Sequence, residues 1–164
     1  IMKEIWEIFY NKDIQLLQKN KIKDNDLFVS PIDLNDSNIP NGNSVYLNLC
    51  NKLYTITNDK IWFEKVEILK KSFHQVLNSF YSQMFSFIKT LDLCENSISF
   101  TFFGNPESIK DMRNDLQKNY LGRATFVYKN VNESDGSIVV CKNQTCSEKL
   151  KNLSKIYNYI ESKS

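Results

Sequence analysis

Val139-Val140-Cys141-Lys142-Asn143-Gln144-Thr145-Cys146 joins a β-type run to two cysteines four residues apart, with a helical pattern directly after it. The apolar run reads as a strand over 137–141. Leu150, Leu153, Ile156 and Ile160 then recur at helical steps and predict a closing helix over 147–162. Upstream, Ile98-Ser99-Phe100-Thr101-Phe102-Phe103 is a second β-type run ending at Gly104, and Thr125-Phe126-Val127-Tyr128 is a third. Between them, Asn105-Pro106-Glu107 has a capping residue followed by a proline suited to the first helical position. Ile109, Met112, Leu116 and Tyr120 share one face of the helix expected over 106–119. Residues 96–164 therefore read as a strand-helix-strand-strand-helix unit.

Residues 1–95 read as mainly helical. Ile5, Ile8 and Phe9 fit one face of a short opening helix. Leu16-Leu17 and Leu27-Phe28-Val29 flank a charged tip and predict two short strands or an extended loop. After the polar loop 33–42, Asn43 or Ser44 caps a helix to about Thr57, with Val45, Leu49, Leu53 and Ile56 as its apolar stripe. Thr57-Asn58-Asp59 is a turn. Trp62, Val66, Leu69, Phe73, Val76, Phe80, Met84, Phe87 and Leu91 then predict a long helix over 60–91, broken near 79–82.

Composition narrows the function classes. The 164 residues are 41% hydrophobic and 24% charged, which suits a folded soluble chain rather than a linker. The net charge is +2 and the two arginines, Arg113 and Arg123, form no basic stripe, so no nucleic-acid partner is expected. No apolar run approaches the ~18 residues of a membrane span, so no membrane partner is expected either. Four unevenly spaced cysteines do not make a secreted disulfide scaffold, and a reducing cytoplasm is the expected location. The chain opens Ile1-Met2 straight into a helical pattern, which reads as a piece of a longer protein.

Two stretches carry candidate chemistry. In the loop 36–44, free backbone N–H groups at a helix start favour anionic or hydroxyl-rich ligands. Asp36, Asn41, Asn43 and Ser44 are the expected ligand-binding residues, set against the simpler reading of a capped connection between helices. Cys141 and Cys146 are close enough in sequence for a turn to bring them within the ~7 Å a disulfide needs, and are either a redox pair or two packed thiols. A helix start just after Cys146 would lower its thiol pKa. Cys50, Cys94 and His74 lack paired metal-ligand spacing, so no metal and no cofactor are expected. No phosphate-binding glycine loop and no Ser/His/Asp set stands out, so no catalytic residue is assigned.

Asp36-x3-Pro40-Asn-Gly-Asn-Ser44-Val45 followed by Leu53-x3-Thr57-Asn-Asp59 resembles a stretch of the large thioredoxin-domain proteins related to spermatogenesis-associated protein 20, the bacterial YyaL-like proteins among them. Gly104-Asn-Pro-Glu, Tyr120-Leu121 and Val140-Cys141-Lys-Asn-Gln-Thr-Cys146 are similar to the carboxyl-terminal region of that family, in the same order. Ser147-Glu148-Lys149 stands where the family has a proline-rich segment. The resemblance implies a fold that is mainly α with a smaller α/β part. Residues 1–95 would be the last helices of an (α/α)6 toroid and 96–164 a carboxyl-terminal α/β unit. It implies as partners a thioredoxin-like domain and the remaining toroid of the parent protein. It also implies a pocket for a carbohydrate-like or other polar small molecule, with the loop 36–44 in its wall. A thiol–disulfide element at Cys141 and Cys146, or a purely structural brace, are the alternative roles.

Overall fold

A computed structural model describes residues 1–21, 31–120, 122, 124–129, 135–142 and 145–163, with 76–80 described by their backbone alone. The expected strand at Leu27-Phe28-Val29, Arg123, the helix stop at Leu121 and the side chains of Val76 and Phe80 lie outside the described residues. The chain forms two compact units, Ile1–Cys94 and Glu95–Ser164.

The first unit opens with helix α1 (Met2–Phe9) and runs into a two-stranded antiparallel sheet of β1 (Tyr10–Asn11) and β2 (Leu16–Leu17). The turn between them is set locally. Asn11 Oδ1 accepts from the Asp13 and Ile14 N–H groups, and Gln15 takes a left-handed conformation at φ 56°. Helix α2 (Gly42–Thr57) is capped by Asn41, whose side chain accepts from the Ser44 N–H, and ends at Asn58 in the left-handed region. Asp59 then caps α3 (Lys60–Phe80), so α2 and α3 form one tight helical hairpin. A 3-10 turn at Tyr81–Gln83 separates α3 from α4 (Phe85–Glu95).

This architecture corrects the expected partial (α/α)6 toroid. A toroid needs successive helical hairpins laid side by side. Among the described residues the chain has six helices and two sheets, and α2–α3 is the hairpin that the Asn58–Asp59 turn builds. The β1–β2 turn diverts the chain after α1, and the 3-10 turn cuts the long helix short. The chain is a mixed α and β fold.

The α3 stripe is as its periodicity predicts: Trp62, Val66, Leu69 and Phe73 are buried, joined by Met84 and Phe87. Phe73 and Phe87 stack at 4.1 Å. Of the α2 stripe, Leu53 is half-buried against the core, but Val45, Leu49 and Ile56 are exposed, while Asn43, Tyr46, Leu47 and Cys50 face the core. That second set is also spaced by three and four residues, and one polar member hides it from a hydrophobicity reading.

In the second unit, β3 (Ile98–Phe103) and β4 (Ala124–Lys129) are parallel and joined through α5 (Lys110–Tyr120). β5 (Ser137–Lys142) pairs antiparallel with β3, and the short β6 (Thr145–Cys146) pairs antiparallel with β5. The strand order is β4-β3-β5-β6, which leaves β4 and β6 at the edges. Helix α6 (Leu153–Glu161) closes the chain. The expected strand-helix-strand-strand-helix order is present, with β6 as an addition. Phe100, Phe102, Ile138 and Val140 project from one sheet face and bury against Leu116 of α5 and Ile156 and Ile160 of α6.

Both helices start later than expected, for local reasons. Asn105 caps a turn by accepting from the Ser108 N–H, so α5 begins at Lys110. Leu150 exchanges two backbone hydrogen bonds with Ile138 at 2.8 Å, so the chain stays extended after Cys146. Asn152 then caps α6.

Candidate functional site

Cys141 and Cys146 are joined by a disulfide. The sheet register makes the bond: the two residues oppose each other across β5 and β6, with Cα atoms 4.0 Å apart. That is close to the ~4.5 Å of an antiparallel pair without its own backbone bonds. The backbone bond lies one residue along, from the Ser147 N–H to the Val140 carbonyl at 2.8 Å. Strand alternation places Cys141 on the face opposite Val140 and Lys142. Lys142 Nζ reaches the Ile160 carbonyl of α6, so the sulfurs lie on the face away from α6. Cys146 is exposed and Cys141 is half-buried. Helix α6 begins seven residues beyond Cys146, at Leu153, so the expected lowering of its thiol pKa by a helix start has no structural basis.

The register also brings Thr125, Ser99, Cys141 and Cys146 into one row across all four strands. Ser99 is buried directly beside Cys141. Sequence reasoning missed this neighbour, because only strand pairing shows which of the many serines is opposite a given cysteine.

The loop 36–44 is knit to itself and to α4. Asp36 Oδ1 accepts from the Asn41 N–H and Nδ2, both at 3.0 Å, and from the Ser86 hydroxyl. Its Oδ2 accepts from the Ser86 N–H at 2.6 Å. Burial alone would push the Asp36 carboxyl up, but the Ser86 and Asn41 donors outweigh it and hold the group below the usual carboxylate range. Asn41 also donates to the Leu34 carbonyl, and Asn43 pairs with both backbone groups of Leu17. Asn41, Asn43 and Ser44 are buried, and the Ser44 hydroxyl has no hydrogen-bond partner among the described residues. The structure thus brings Asp36 and Asn41 together and sends Asn43 to β2; the Asn41 and Asn43 amides are buried and already paired, while Asp36 is half-buried. Ser86 completes the cluster from 50 residues away, a partner no local motif announces.

The other thiols are held differently. Burial pushes the Cys50 thiol up to about 12, although the Tyr46 hydroxyl and the Lys65 ammonium favour its thiolate. Burial likewise raises Tyr46 and lowers Lys65, whose ammonium lies 3.7 Å from the Trp6 ring centroid. A thiol so placed is protonated and inert near neutral pH. His74 is exposed on α3, as its charged neighbours suggest. Among the described residues no three His, Cys, Asp or Glu side chains gather to hold a metal ion, and no helix is long and apolar enough to cross a membrane.

A disulfide with an exposed cysteine on a sheet-edge strand is open to attack by a thiolate. Compared with models of protein families and with curated proteins, the chain matches none.

Proposed function

We propose that the unit 95–164 is a thiol–disulfide exchange element in which Cys141 and Cys146 alternate between a disulfide and two thiols. The observation that carries the reading is the cross-strand disulfide at the edge strand β6, with Cys146 exposed. The proposed partner is a dithiol protein such as the thioredoxin-like domain that the sequence resemblance implies.

The partner's thiolate attacks Sγ of Cys146, the more accessible sulfur. A new bond forms between the partner and Cys146 as the Cys141–Cys146 bond breaks. Cys141 leaves as a thiolate and takes a proton from water. The partner's second thiolate then attacks its own half of the mixed disulfide and releases Cys146. Two electrons pass from the partner dithiol to this chain. The buried Ser99 opposes Cys141 in the sheet register, so its side chain shares a sheet face with the departing thiolate.

Differential alkylation with mass spectrometry tests the reading on the oxidised full chain, with and without reduced thioredoxin. The expected result is labelling of Cys141 and Cys146 after thioredoxin treatment, with Cys50 unlabelled until the chain is unfolded. A Cys141–Cys146 bond that persists until unfolding refutes exchange and leaves the disulfide as a structural clamp.

A further inference from the structure

We propose that the carboxyl ends of β3 and β4 hold a binding site for a small carboxylate with a flat apolar body. In open sheets with parallel strands, ligands settle in the crevice beyond the carboxyl ends of those strands. Here the crevice is a cavity of about 200 Å³. Its place is set by the sequence at the end of β3. Gly104 turns the chain at φ +127°, where a Cβ would meet Ser108 Oγ at 2.7 Å, and the turn before α5 follows.

The walls are apolar and flat. Phe102 is fully buried, and the Tyr128 ring stacks on it at 5.1 Å with 12° between the planes. Tyr128 is 48% exposed, and its hydroxyl is held by Gln117 Nε2 at 2.9 Å, so the ring is fixed yet open to the cavity. Ile109, just before α5, also lines the cavity, and Arg113 follows it one helical turn on, its N–H bonded to the Ile109 carbonyl at 2.8 Å. The Arg113 guanidinium meets no carboxylate among the described residues. Among those residues its guanidinium makes two long hydrogen bonds, 3.3 and 3.4 Å, to the neighbouring Asn114 side chain. Lys129 also borders the cavity, but its ammonium turns to the Phe103 ring on the other sheet face, 5.7 Å from the centroid. Arg113 is therefore the charge that a ligand meets. Its planar fork accepts a carboxylate through two parallel bonds. A cavity of 200 Å³ is smaller than the ~300–1,000 Å³ of drug-sized sites, which limits the ligand to about one ring and its carboxylate.

The site lies at the opposite end of β3 from the residue that pairs with Cys141, so it stands or falls apart from the exchange reading. The test is a titration of the ¹⁵N-labelled full chain with benzoate, and with benzyl alcohol as the uncharged counterpart. Benzoate is expected to give saturable shifts at the Gly104 and Ile109 amides. Arg113→Gln is expected to weaken benzoate at least about tenfold, since a charge-assisted pair is lost, and to leave benzyl alcohol unchanged. Should Arg113→Gln not fold, Arg113→Lys keeps the charge, loses the fork, and is expected to weaken benzoate in the same direction. Shifts that never saturate, or benzoate binding equally well without the Arg113 fork, overturn the proposal.

Discussion

Asn43→Ala removes the side chain that joins α2 to β2. Asn43 Oδ1 accepts from the Leu17 N–H at 2.8 Å, and its Nδ2 donates to the Leu17 carbonyl at 2.8 Å. The amide thus acts as one more sheet residue alongside β2. Asn43 is 2% exposed and Leu17 8%, so water does not readily replace the lost partner. Alanine leaves two buried backbone groups unpaired, at ~1–3 kcal/mol each. The expected loss is about 3–4 kcal/mol, since Leu17 at a sheet edge regains some solvent. Against the ~5–15 kcal/mol of an ordinary domain this is large. Asn43→Leu is expected to lose a similar amount despite its near-equal volume, which separates hydrogen bonding from cavity formation. Val45→Ala, on the same helix but 44% exposed, is expected to lose less than about 1 kcal/mol. Trp6 and Trp62 both lie in the unit 1–94, so urea unfolding followed by tryptophan fluorescence reads this unit. A loss for Asn43→Ala no greater than for Val45→Ala refutes the bidentate pairing as the tie between α2 and β2. The same geometry bears on the ligand expectation for this loop: a ligand that took the Asn43 amide would have to displace Leu17.

Periodicity found what depends on apolar spacing. The Trp62–Val66–Leu69–Phe73 face of α3 and the strands around Phe100 and Val140 bury side chains at regular steps, and their sequences show it. It failed where a polar residue holds an inward position. Asn43 sits on the buried face of α2, so an apolar count selects Val45, Leu49 and Ile56, which the fold leaves exposed. The toroid expectation failed for a related reason. It came from local motifs, and those motifs mark a capped loop and a helix turn without fixing what the next element packs against. The starts of α5 and α6 fall later than the sequence predicts because Asn105 and Leu150 make hydrogen bonds that postpone each helix. Of the candidate sites, the proximity of Cys141 and Cys146 was legible from their spacing. The roles of Ser86 and Ser99 were not, since each depends on a contact far along the chain.

Two further outcomes follow from the geometry. Replacing Cys141 and Cys146 together by alanine is expected to lower the stability of the unit 95–164 by about 2 kcal/mol relative to the oxidised chain, the chain-entropy value for so short a loop. Hydrogen exchange at the Val140 amide measures this, and an unchanged rate means the bond does not hold β5 to β6. The acid limb of stability is the second. Asp36 has a lowered pKa in the folded chain, so between that value and the ~3.9 of an unfolded aspartate the unfolded state binds more protons. Stability from Asp36 is therefore fully present above about pH 4 and is lost as pH falls through the folded value. Asp36→Asn removes this titration and also turns an amide N–H toward the Ser86 and Asn41 donors that the carboxylate accepts. The expected result is lower stability at pH 7 and a shallower decline between pH ~5 and ~2, read from urea midpoints. If the substituted chain declines as steeply as the parent, the hydrogen bonds from Ser86 and Asn41 do not favour the ionised carboxylate, and the cluster is held by packing instead.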